Sequence, residues 1–246
     1  MKITFLGTNG WYDTDTGNTV CALIETDEYY ILLDAGIGIY KSDRYIKADK
    51  PVLLFLSHFH HDHMYGLHIL FKFKFKSMTV IGQPGTKDAV NTYLSERFSV
   101  PLSRLKFPVT VMDVSEGWHD GPVKFRCLPL KHSAVCFGYR LEIGGKVISY
   151  CTDTGYCDNS VELAKGADLL ISECSLAPGK TTPEWPHMNP ELAAKLANES
   201  ATKRLVLTHF DAEEYETMKM RNNAEKSARR MFKNTLAAKD GLQISI

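Results

Sequence analysis

The apolar residues of the chain fall in short runs closed by turn-forming residues. Residues 3–7, 19–25, 29–34 and 52–57 each read as a strand bounded by Gly, Asp or Pro. Runs that lack polar alternation suit strands covered on both faces, so a sheet with helices packed outside is expected. Beyond Asp62 the period changes: 66–70 reads as a short helix, 78–81 as a strand and 86–97 as a helix. From 109 to 152 strands dominate, and Gly144-Gly145 predicts a hairpin turn between 137–143 and 146–152. Helices and strands then alternate: 159–165 helical, 168–172 extended, 189–198 helical with Pro190 in its first turn, and 204–208 extended. A long charged helix is expected over roughly 213–238, before a last strand at 242–246. No linker interrupts the pattern, so residues 1–246 read as one domain.

Composition narrows the class. With 44% apolar and 24% charged residues the chain is an ordinary globular protein, which excludes disordered and collagenous readings. Lys+Arg and Asp+Glu balance at 29 each, so no global positive field would draw in nucleic acid, although a local basic groove stays open. The longest apolar runs fall far short of the ~20 residues that span a bilayer, so no membrane partner is expected. The N-terminus lacks an apolar signal region and reads as a first strand, which places the protein in the cytoplasm. Six cysteines without a C-x-x-C pair read as reduced, mostly buried thiols.

The chemistry lies in the histidines. Seven of the nine (His58, His60, His61, His63, His132, His187 and His209) sit at expected strand ends or in loops, and four of them fall within six residues. His58-Phe59-His60-His61-Asp62-His63 sets imidazoles and a carboxylate on a tight turn leaving a buried strand. Packing and solvation give no reason for such a gathering, whereas neutral imidazole and ionised carboxylate are ligands that Zn²⁺ accepts and Fe²⁺ or Mn²⁺ tolerate. Leu56-Ser57-His58-Phe59 and Leu207-Thr208-His209-Phe210 echo each other. Both histidines would then lie at C-terminal strand ends, where open α/β sheets keep their sites.

His58, His60, Asp62 and His63 as H-x-H-x-D-H resemble the signature of the metallo-β-lactamase-fold hydrolases. Four further stations appear in order: Leu33-Asp34-Ala35-Gly36, Leu130-Lys131-His132-Ser133, Cys151-Thr152-Asp153-Thr154-Gly155 and Leu207-Thr208-His209-Phe210. The resemblance implies an α/β fold, a four-layer αβ/βα sandwich of two mixed sheets flanked by helices. It further implies two divalent metal ions, with His58, His60 and His132 on the first, Asp62, His63 and His209 on the second, and Asp153 bridging. Asp34 would support the site without binding metal, and His61 would be solvated. Di-iron oxidoreductase relatives typically carry glutamate at the position of His60, so histidine favours hydrolysis by a metal-bridging hydroxide, with Zn²⁺ expected and Mn²⁺ or Fe²⁺ as alternatives.

Pro186-His187-Met188-Asn189-Pro190 is similar to the histidine loop of the ribonuclease Z and small-phosphodiesterase branch, and Glu173 lies where that branch has a glutamate loop. The expected catalytic groups are His187, which would assist the leaving oxygen, Asp62, and Glu173 in an orienting role. The tRNA-gripping arm of ribonuclease Z has no room in the 21 positions from His132 to Asp153, so tRNA is not an expected partner. The expected activity is a phosphodiesterase acting on a small nucleotide-type substrate. The alternatives are an acyl hydrolase (lactonase, thioesterase or β-lactamase type) and a noncatalytic metal-binding protein. A homodimer is compatible with the resemblance, though no segment specifies an interface. The strip 71–76, Phe-Lys three times over, reads as an amphipathic element with phenylalanines inward and lysines solvated. Loops near Trp11-Tyr12, 71–75 and 183–186 are expected to shape substrate choice.

Overall fold

In the computed structural model, which describes residues 1–182 and 184–246, two seven-stranded sheets lie face to face. Pro183, in a loop expected to shape substrate choice, lies outside the described residues. The first sheet runs Gln243–Ser245, Lys2–Gly7, Cys21–Glu25, Tyr30–Leu33, Val52–Phe55, Met78–Gly82 and Val109–Asp113, parallel from Tyr30–Leu33 onward and antiparallel before it. The second runs Thr235–Ala237, Leu205–Thr208, Leu169–Glu173, Lys146–Cys151, Phe137–Ile143, Lys124–Pro129 and Gly117–His119, its first four strands parallel and the rest antiparallel.

Alternation within the strands Tyr30–Leu33 and Val52–Phe55 explains why they carry no charged residue. Ile31, Leu33, Leu53 and Phe55 enter the core between the sheets, against Tyr139, Leu141, Tyr150 and Ile171. Their neighbours Tyr30, Leu32, Val52 and Leu54 pack outward under Ile39, Leu67, Leu70 and Val90. On the other sheet Leu170, Leu205 and Leu207 pack beneath Leu163, Ala193, Ala197, Ala224 and Ala228 of the helices Asp158–Ala164, Pro190–Glu199 and Met218–Met231. Three apolar seams make the four layers of the expected sandwich.

Several elements differ from the sequence reading. The charged helix expected over 213–238 is Met218–Met231, capped by the Thr217 side chain, and Thr235–Ala237 is a strand paired in parallel with Leu205–Thr208. The helix expected over 86–97 ends at Tyr93. Residues 66–70 lie within a 3₁₀ segment, Tyr65–Lys72. In the 71–76 strip Phe73 and Phe75 are buried and stacked with ring centroids 4.7 Å apart, while Phe71 stays exposed with the lysines. Five cysteines are buried, Cys157 is partly so, and all six are free thiols. No helix among the described residues is long and apolar enough to cross a membrane.

The strands Val52–Phe55, Lys146–Cys151, Leu169–Glu173 and Leu205–Thr208 deliver their C-terminal ends to one edge of the sandwich. A two-residue parallel ribbon there, Asn9–Gly10 beside Phe210–Asp211, ties the loop after the first strand to the chain after Thr208.

Candidate metal centre

The turn after Val52–Phe55 carries four of the candidate ligands. His60 keeps an extended backbone (φ −64°, ψ 149°) and caps the four-residue helix His61–Met64, which turns Asp62 and His63 back towards His58. Asp34, Asp153 and His209, each just past a strand end, have left-handed backbones with φ of 57°, 51° and 52°. That conformation costs an L-residue roughly 1–2 kcal/mol, a strain that surrounding structure must hold and that tends to gather at functional sites. Here it turns Asp153 and His209 towards the cleft and the buried Asp34 towards His63.

The seven predicted ligand side chains come together in two groups that share Asp153. His58, His60, His132 and Asp153 form one, with donor atoms all within 4.8 Å of one another, and Asp62, His63, Asp153 and His209 form the other. In the first, His60 Nδ1 lies 3.2 Å from His132 Nε2, and His58 Nε2 lies 3.5 Å from Asp153 Oδ2. In the second, His63 Nε2 is 3.2 Å from His209 Nε2 and 3.3 Å from Asp153 Oδ1, and His209 Nε2 is 3.2 Å from Asp62 Oδ2. A tetrahedron with metal–ligand bonds of 2.0–2.1 Å has edges of about 3.3 Å, so these separations are compatible with such an ion. His58 Nε2 is buried without a hydrogen-bond partner among the described residues, an omission that a ligand role removes. His61 is exposed and belongs to neither group.

The sequence of the described fold matches the model of the β-lactamase superfamily domain over residues 29–210, a span that includes all seven of these side chains. The chain belongs to the β-lactamase superfamily. It is 26% identical over 215 residues to the probable metallo-hydrolase YhfI of Bacillus subtilis, covering 85% of this chain and 87% of that one. The crystal structure of YhfI superposes with a TM-score of 0.79 over 99% of both chains. Ribonuclease Z of Prochlorococcus marinus is 28% identical over the full length of both chains. That alignment runs to 319 positions against 246 residues here, so the relative carries segments with no counterpart in this chain. A diphosphatase of the PhnP family shares the fold, with a TM-score of 0.73 over 100% of this chain and 97% of that one at 18% identity. With relatives named as metallo-hydrolases and ribonucleases, this superfamily member is a metal-dependent hydrolase.

Around the two candidate groups, hydrogen bonds fix the imidazoles. Asp34 is fully buried; its Oδ2 lies 2.7 Å from His63 Nδ1 and accepts from Tyr150 Oη at 2.6 Å and Ser57 Oγ at 2.8 Å, while Oδ1 accepts from Ser57 N at 2.7 Å. Ser175 Oγ lies 2.9 Å from His209 Nδ1, and Trp11 N donates to Asp62 Oδ2 at 2.9 Å. Partners of this kind orient the ring and set its tautomer. Asp34 was legible as a support; Tyr150, Ser175 and the Trp11 amide were not. They come from distant strands and loops, and only Gly10 before Trp11 hints at a close backbone approach.

The two groups differ electrically. Burial pushes His58 well below the ordinary histidine value, lowers His60 and takes His132 down to about 4, keeping these imidazoles in the neutral, metal-binding form. Burial acts the same way on His209 and His63, but the carboxylates of Asp153 and Asp62 outweigh it, raising His209 to about 10 and His63 well above normal. Burial would raise Asp62 and Asp153 in turn, yet the facing imidazolium charges hold both well below the usual carboxylate range.

Above the two groups lies a cavity of about 450 Å³, bordered by Trp11 on one side and Trp185 and His187 on the other. The His187 ring stands 5.5 Å from that of His132 and is stacked at 6.2 Å on that of His209. Glu173, fully buried at the end of its strand, holds His187 Nδ1 at 2.9 Å and accepts from the backbone amides of Thr154, Ser175 and Met188. Burial disfavours the imidazolium of His187, but the Glu173 charge beside it prevails and raises its pKa.

Proposed function

We propose that the protein is a two-metal phosphodiesterase acting on a small, nucleotide-type phosphodiester, with His58, His60 and His132 holding one ion, Asp62, His63 and His209 the other, and Asp153 shared. The donor set of imidazoles and carboxylates at near-tetrahedral spacing suits Zn²⁺. Two divalent ions so held would supply Lewis acidity towards water and a phosphoryl oxygen. The observation that carries the reading is the Glu173–His187 pair. His187 is held by its Nδ1, which leaves Nε2 to the cavity, and the Glu173 carboxylate beside it favours the protonated ring. From there it donates that proton to the departing alkoxide oxygen, a step that expulsion of an alcohol from phosphorus needs. Glu173 positions the ring and maintains its charge. Asp62, fixed by the Trp11 amide, keeps its oxygen directed at the second group.

The interval from His132 to Asp153 is filled by the hairpin Phe137–Ile143 and Lys146–Cys151, turned at Gly144-Gly145, which supports a small substrate over tRNA. One purified, metal-loaded sample assayed on bis(p-nitrophenyl) phosphate, a lactone and a thioester tests the proposal; turnover of acyl substrates alone would reject it. His187→Ala is expected to keep its metal content and lose about 10²–10⁴ in kcat on a diester with an alkyl leaving group, and much less on bis(p-nitrophenyl) phosphate, whose phenolate leaves with little need of a proton. A full rate in that variant on every active substrate would remove His187 from the mechanism.

A further inference from the structure

Beyond the candidate ligands and His187, the cleft is bordered by exposed aromatic rings. Trp11 is 60% exposed and Trp185 55%, and they flank the cavity over the metal groups. Trp11, with Tyr12 edge-on to it at 5.1 Å, also lines a second hollow of about 320 Å³ that reaches Tyr65. Tyr65 (50% exposed) continues into a third, of about 650 Å³, that ends at Phe98 (65% exposed). The three hollows share walls: Trp11 and Asp62 between the first and second, His61 and Tyr65 between the second and third. No lysine or arginine among the described residues lines any of them. Burial cannot be what keeps these large rings at the surface, and all lie along one path through the site.

We infer that this path is a substrate track that binds a singly charged phosphodiester through planar groups on both sides of phosphorus, a nucleoside on the Trp11–Tyr65 side and a second ring against Trp185. The inference rests on the phosphodiesterase reading above and names its substrate class. Aromatic platforms take any base, because each presents a π-face. A substrate with further phosphates would bring charges that meet no lysine or arginine along the track, whereas polyanion binding relies on such residues. Trp11 contributes to Asp62 through its backbone amide, so truncating its side chain leaves that contact in place.

The test compares thymidine 5′-(p-nitrophenyl phosphate) with methyl p-nitrophenyl phosphate on the metal-loaded protein, because the two esters share a leaving group. The expected result is a kcat/KM at least about tenfold higher for the nucleoside ester, expressed mainly in KM. The preference should fall towards unity in Trp11→Ala and Tyr65→Ala and be largely retained in Trp11→Phe. Adding a 3′-phosphate to the thymidine should lower kcat/KM. Equal kcat/KM for the two esters would overturn the inference while the phosphodiesterase reading stood. A preference unmoved in both alanine variants would also overturn it, and both rings are exposed enough for those variants to fold. Failure to cleave either ester would overturn the inference together with the reading on which it rests.

Discussion

Asp34 accepts from Ser57 twice and from Tyr150, and it meets His63, all without access to solvent. Asp34→Ala would leave those partners buried and unsatisfied, and would free His63 to rotate. The expected outcome is a tenfold to hundredfold weaker affinity in the group containing His63, read by chelator competition. Unchanged affinity would separate Asp34 from the site. His209 makes a second prediction. In the metal-free protein its pKa of about 10 stands above the ~6.5 of an unfolded histidine. The stabilisation from its charged contacts is therefore complete below about pH 6.5 and is lost as pH rises through about 10. A metal ion needs the neutral ring, so uptake at pH 8 should release a proton, and affinity should strengthen as pH increases. Calorimetry in two buffers of different ionisation enthalpy reads that proton; identical heats would contradict it.

At the scale of elements, the ribbon between Asn9–Gly10 and Phe210–Asp211 sets the position of His209. A Cβ on Gly10 would meet His209 Cε1 at 2.4 Å and Nδ1 at 2.7 Å. Gly10→Ala should therefore displace that ring and deplete the ion proposed for Asp62, His63 and His209, while the other group keeps its occupancy; metal analysis after gel filtration checks this. The sequence conveyed the long runs and the glycine hairpin because each is decided locally, by burial on two faces or by the left-handed backbone that Gly144 and Gly145 adopt. It misjudged 213–238 because nothing in that charged stretch forbids a helix. Thr235–Ala237 becomes extended through its pairing with Leu205–Thr208, a contact that exists only in the folded molecule. The residues that gather in the two candidate groups were legible for the opposite reason: imidazoles grouped beside a carboxylate have no packing role to compete with. Ser175 and Tyr150 remained unseen because a serine or tyrosine bears no mark of the ring it will support.

For the molecule as a whole, the two sheets meet in an apolar core, while one edge gathers buried carboxylates and imidazoles that the proposed ions would compensate. With free metal a thousandfold above Kd, each ion contributes about 4 kcal/mol to stability. Stripping both ions with a chelator should lower the thermal midpoint by about 15–30 °C, at ~2–4 °C per kcal/mol for a chain of this size, and restoring Zn²⁺ should recover it. A midpoint indifferent to chelator would show that the folded chain takes up no ion there.

The shared carboxylate also dictates an order of events during synthesis. By the time residue 153 has left the ribosome, every donor of the first nest has been made, whereas its neighbour lacks one imidazole until the last quarter of the chain emerges and threads beside Gly10. On the two-ion reading proposed above, the donors of the first group are thus complete in the chain well before those of the second, which waits for His209.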